Sequence, residues 1–128
     1  MGFEFKSQMG YVLLRLYGKL EVGDLYKIAK HLDAAEQPGQ PSPHRFIDMT
    51  EVEEVSLNFD NMHGFTSGRS GVKLKNMVRV AVVTKNIVQF GLARMFQTLN
   101  QQPQTEVSVF HDQETARRWL LDEVVNVI

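Results

Sequence analysis

The sequence predicts an α/β domain: a mostly parallel five-stranded sheet with an antiparallel first strand at its edge, and about four helices. Three observations predict it. The chain opens with two adjacent strand-like segments, after which helix-period and strand-like segments alternate to the end. Its 128 residues are 43% apolar and 23% charged with a net charge of −1, the balance of one soluble domain spanning residues 1–128. A chain of that length buries a sizeable core without covalent staples.

The elements follow in order. Phe3-Glu4-Phe5-Lys6 alternates apolar and polar residues, and Tyr11 to Tyr17 is rich in branched and aromatic ones, with Met9-Gly10 between them. That pattern predicts an antiparallel hairpin whose second strand Gly18 breaks. Leu25, Ile28, Ala29 and Leu32 recur at helical spacing behind Asp24, so a helix is expected over 22–35. Glu36 to Pro43 holds three prolines and reads as an exposed connector. A short strand, Arg45 to Met49, and an acidic turn, Thr50 to Val55, lead to Ser56 as the cap of a helix over 57–67, loosened by Gly64, Gly68 and Gly71. Met77 to Thr84 is the clearest strand. Asn86 then caps a helix from Ile87 to Leu99 that is apolar nearly all round for two turns, which predicts burial. Gln101 to Gln104 stops it, Glu106 to Phe110 forms the last strand, and Asp112 caps a helix with Ala116, Trp119 and Leu120 on one stripe. If the helices share one face, the other must accept water or a partner, in keeping with Arg15 and Arg79 among its residues.

Composition narrows the function classes. There is no Cys, which excludes disulfides, thiolate nucleophiles and Cys-based zinc sites and suits a reducing cytoplasm. The balanced charge gives no global field for nucleic acid. The longest apolar runs fall far short of the roughly 20 residues that span a bilayer, and the first residues lack a signal-peptide layout. A cytoplasmic protein without integral membrane association is expected.

The opening hairpin, the run Val78-Arg79-Val80-Ala81-Val82-Val83, then Gly91 to Phe96, then Glu106 to Phe110 followed by Ala116 and Trp119-Leu120, together resemble the SpoIIAA-like proteins. These belong to the STAS-type group of sulfate transporter and anti-sigma factor antagonist domains. The resemblance covers about residues 3–121. It implies a right-handed β-α superhelix of bacterial origin that acts through protein contacts or a small ligand and not by covalent catalysis. In the anti-sigma antagonists a serine of an Asp-Ser-Ser-Gly motif, after the third strand, is phosphorylated. Matching Asp48-Met49-Thr50 to the family's Asp-Leu-Ser places Asn58 at the phosphoserine position, with Ser56 nearby as a candidate and as an ordinary N-cap. Departure from the motif makes the phospho-switched antagonist the lowest-ranked reading.

Ligands of open α/β sheets settle beyond the carboxyl ends of the strands, near helix N-termini. Here that rim brings Asp48, Thr50, Thr84, Lys85, Asn86, His111 and Asp112 together as candidate binding residues. The same positions also suit plain structural work, with Asn86 and Asp112 as caps, Asp48 tying a turn and Lys85 solvated. His31, His44, His63 and His111 lack metal-site spacing, so neither a metal nor another cofactor is expected. Gly64 to Gly71 misses the phosphate-loop spacing, and no nucleophile elbow is present. Arg69, Lys73, Lys75 and Arg79 form a cationic run that reads as a solvated loop or a local anion contact. Phe59, Met62, Phe65, Phe90 and Phe96 would line a groove for an apolar chain or pack as core. The tail Val124 to Ile128 is apolar enough to predict self-association as a homodimer. The leading expectation is a non-catalytic binding or regulatory module acting through protein contacts. Its alternative is a carrier of a small apolar or lipid-like ligand.

Overall fold

A computed structural model describes residues 2–8, 10–35, 40–71 and 73–121. The strands are β1 (Gly2–Gln8), β2 (Tyr11–Glu21), β3 (His44–Ser56), β4 (Val78–Val83) and β5 (Thr105–Phe110); the helices are α1 (Val22–Ala35), α2 (Phe59–Ser70), α3 (Ile87–Leu99) and α4 (Gln113–Leu120). The strands lie in sequence order, β1-β2-β3-β4-β5. β1 runs antiparallel to β2, and every later neighbour is parallel. The expected sheet and helix number are therefore observed.

Alternation along the strands sorts side chains to two faces. Leu14, Leu16 and Leu20 of β2 and Val78, Val80 and Val82 of β4 are buried on one face, in a core shared with Ile28, Leu32, Met62, Leu92 and Ala93 of α1, α2 and α3. Phe46, Ala81 and Val83 point the other way, into a smaller core closed by Ala116 and Leu120 of α4. Each such fully buried Val or Leu contributes about 1.5–3 kcal/mol. The helices thus occupy both faces, three on one and α4 on the other. The two arginines of the α4 face are accommodated without deep burial of charge. Arg79 stacks over the Trp119 ring at 5.3 Å and donates from Nη1 to the Trp119 carbonyl at 2.7 Å, while Arg15 stays partly exposed.

Three boundaries differ from the sequence expectation. Gly18 does not end β2: it adopts φ 80° beside a register shift against β3, a bulge that a residue with Cβ would strain, and the strand continues to Glu21. The acidic run Thr50 to Val55 is strand and not turn, because Val52 and Val55 pair with Gly18 and Leu20 while Glu51, Glu53 and Glu54 face water. α2 is capped by Asn58 and not by Ser56. The Asn58 side chain accepts from Asn61 N at 2.9 Å and its N–H donates to Asn61 Oδ1 at 3.1 Å, a reciprocal capping box. α3 is also less buried than expected, with Ile87 and Val88 at 86% and 61% exposure in its first turn. The apolar tail after residue 121, expected to mediate self-association, lies outside the described residues.

Candidate functional site

The parallel strands deliver the predicted rim to one end of the sheet, but most of its polar groups are spent on the fold. Asp48 is only 2% exposed. Its Oδ1 accepts from Thr50 N at 2.9 Å and from the Thr50 hydroxyl at 2.7 Å, and its Oδ2 accepts from Gln113 Nε2 at 3.0 Å and lies 3.6 Å from Arg15 Nε. This carboxylate ties β2, β3 and the first turn of α4 together. Thr84 is fully buried, with its N–H donating to the Phe110 carbonyl at 2.9 Å.

The helix-starting residues of the rim are committed in the same way. Asn86 accepts from Gln89 N at 2.9 Å and Asp112 accepts from Thr115 N and its hydroxyl, each at 2.8 Å. These two bonds from Thr115 hold the Asp112 carboxyl below its ordinary value of 3.8. His111 is exposed and stacks on Phe90, ring centroids 5.4 Å apart. Thr50, Lys85 and Asn86 do meet, with Tyr17, Gly18 and Glu51, around a shallow depression; Asp48, Thr84, His111 and Asp112 do not line it.

Gln89 escaped the sequence reading. It is buried in α3, its Oε1 accepts from Lys85 N at 2.8 Å, and its Nε2 donates to the carbonyl of Val52 at 2.9 Å. The signal was present as one amide inside the apolar run Ile87-Val88-Gln89-Phe90.

The cationic run does not form one patch, since Arg69 pairs with Asp33 of α1 and Arg79 engages Trp119. Of the aromatic groove residues, Met62, Phe65 and Phe96 border a common space, whereas Phe59 stacks outward on His63 and Phe90 on His111. That space is a cavity of ≈ 90 Å³ between the sheet and helices α1, α2 and α3. Its wall is aliphatic, with Leu14, Leu16, Ile28, Val80 and Leu92 among the residues facing it. Its polar border is made by Arg45, Arg69, Asn100, Gln102 and Thr105, with Arg45 and Gln102 themselves 8% and 6% exposed. These groups come from the amino ends of β3 and β5 and the carboxyl ends of α2 and α3, the end of the sheet opposite to the predicted rim. Sequence reading named Arg69 of this border, as part of a cationic run, and missed Arg45, Asn100, Gln102 and Thr105.

Among the described residues no cluster of His, Asp or Glu could hold a metal ion, and no helix is long and apolar enough to cross a membrane. No curated protein matches the chain. Among solved structures, it is similar to an uncharacterized protein of the DUF3478 family with a SpoIIAA-like fold from Shewanella loihica, with 22% identity, a TM-score of 0.63, and 93% of this chain and 92% of that one covered. That likeness concerns the fold. The SpoIIAA-like family model matches residues 11–121, from the start of β2 to the end of α4, so the four parallel strands and all the helices just described carry the match, and the chain belongs to the SpoIIAA-like family.

Proposed function

We propose that this domain is a non-catalytic binding module that holds a small lipid-like ligand, apolar along its body and polar at one end, beneath helices α1, α2 and α3. The cavity carries this reading. Its lining is almost wholly aliphatic and aromatic, which favours an apolar occupant, while Arg45, Arg69 and Gln102 make one end of it polar. A cavity of ≈ 90 Å³ receives a short chain as it stands. Longer ligands need the helices to part, and α2 is the element placed to yield, because only Met62 and Thr66 among its described side chains are buried.

Native mass spectrometry of freshly purified protein tests the proposal. The expected spectrum shows added mass on the folded chain, or uptake of a medium-chain fatty acid when one is supplied. Ala93→Leu, which grows a side chain into the cavity from α3, should abolish either signal while leaving the fold intact. A wild-type chain that stays bare in both conditions overturns the reading.

Exposed Ile87 and Val88 beside the Lys85 depression favour a second reading, in which a protein partner docks on the start of α3. Under it, Ile87→Glu abolishes partner capture and leaves ligand retention unchanged.

A further inference from the structure

The sheet has two edges and they are treated differently. At β5, side chains of α3 and its cap take the carbonyls: Gln97 Nε2 donates to Val107 O at 2.8 Å and Asn100 Nδ2 to Thr105 O at 3.5 Å. At β1, all seven residues pair with β2 on one side, and no strand lies on the other among the described residues. Alternate backbone N–H and C=O groups of β1 therefore face outward, the arrangement that natural sheets block unless it is used.

The charges on β1 show how it can be used. On the α4 face of the sheet, the register aligns Glu4 with Arg15 of β2 and Arg15 with Asp48 of β3. This row alternates in sign and stops at the edge on an acid, while Lys6 lies 3.4 Å from Glu4 along the same strand. We propose that β1 pairs antiparallel with β1 of a second copy of the chain, centred on Phe5, so that the two sheets join into one. In that register Glu4 of one protomer faces Lys6 of its partner twice over, extending the alternating row across the two-fold axis. On the opposite face Phe5 meets Phe5, beside the ring of His31, which stacks on Phe5 at 5.4 Å and meets Phe3 edge to face at 5.2 Å.

Neighbouring registers are disfavoured. A slip of one residue sets Glu4 against Phe5, and a slip of two sets Glu4 against Glu4 or Lys6 against Lys6. Unlike charges meet only in the Phe5-centred pairing among these.

Sedimentation equilibrium on the full chain tests the proposal, with far-UV circular dichroism confirming that each variant is folded. The wild type should sediment at twice 14.6 kDa. Glu4→Lys places lysines opposite each other at both contacts and should weaken the dimer by roughly tenfold or more. The double variant Glu4→Lys/Lys6→Glu restores unlike pairs and should recover the dimer. A wild type that stays monomeric, a dimer indifferent to Glu4→Lys, or a double variant no better than the single one overturns the proposal.

Discussion

Replacing Asp48 by Ala should destabilise the protein by about 2–3 kcal/mol. The carboxylate accepts three hydrogen bonds, from Thr50 N, the Thr50 hydroxyl and Gln113 Nε2, at 2.9, 2.7 and 3.0 Å. Bonds to a charged acceptor are worth about 1.5–3 kcal/mol each, which as a gross sum exceeds the predicted loss. Two effects reduce it. Gln113 is exposed and Arg15 about a third exposed, so both regain water when the carboxylate is gone. Removing the buried charge also recovers its own desolvation cost. For a domain of 128 residues, each kcal/mol corresponds to about 3–5 °C in melting temperature. Asp48→Asn keeps the shape and the Thr50 contacts, and Gln113 can turn its amide to match, so its cost should be about 1 kcal/mol. Urea unfolding followed by fluorescence is the assay, because the one tryptophan, Trp119, lies on α4 and reports its docking directly. A loss under about 0.5 kcal/mol for Asp48→Ala, with an unchanged denaturant slope, would refute the assignment of Asp48 as the tie between sheet and α4.

Gln89→Leu removes the side chain that bridges the start of α3 to the Val52 carbonyl and leaves the Lys85 N–H without its 2.8 Å acceptor. It should cost about 1–3 kcal/mol by urea unfolding and raise hydrogen exchange at Lys85. Asp112 supplies a pH dependence of known sign. Its folded value lies below 3.8, so its contribution to stability is complete above the unfolded value and is lost as pH falls through the range below it. Melting curves of wild type and Asp112→Asn should therefore converge on acidification below about pH 4, with the wild type falling faster.

The elements legible in the sequence were those whose signal is local. α1 begins and ends where its apolar spacing says, and Asn86 and Asp112 cap the helices expected of them, because a cap is decided within three residues of chain. The losses came where a distant neighbour decides. Glu51, Glu53 and Glu54 look like a turn until the long β2 is placed beside them, when Val52 becomes a buried and Val55 a half-buried position of a strand. Gly18 looks like a terminator because a bulge and a strand end require the same residue. Exposure of Ile87 and Val88 was invisible because periodicity shows which residues could be buried and not whether an element arrives to cover them. The cavity was hidden for a related reason: its existence depends on how far three helices stand off the sheet, a distance that no residue pattern encodes.

The rim and the cavity are linked by how the helices begin. The general reason to look for ligands at the carboxyl ends of the strands is that helix N-termini present unpaired N–H groups there. In this chain the side-chain oxygens of Asn58, Asn86 and Asp112 each accept one of those N–H groups, from Asn61, Gln89 and Thr115, and Gln89 takes the Lys85 N–H besides. Four backbone N–H groups of the rim and helix starts are thereby taken, and the Asp48 carboxylate is turned inward to hold α4. The proposed ligand site lies at the opposite end, where Arg45 and Gln102 border an apolar space that the caps do not reach. A sequence that spends side chains on securing its helix starts thereby moves its candidate site from the rim of the sheet to the gap beneath the helices.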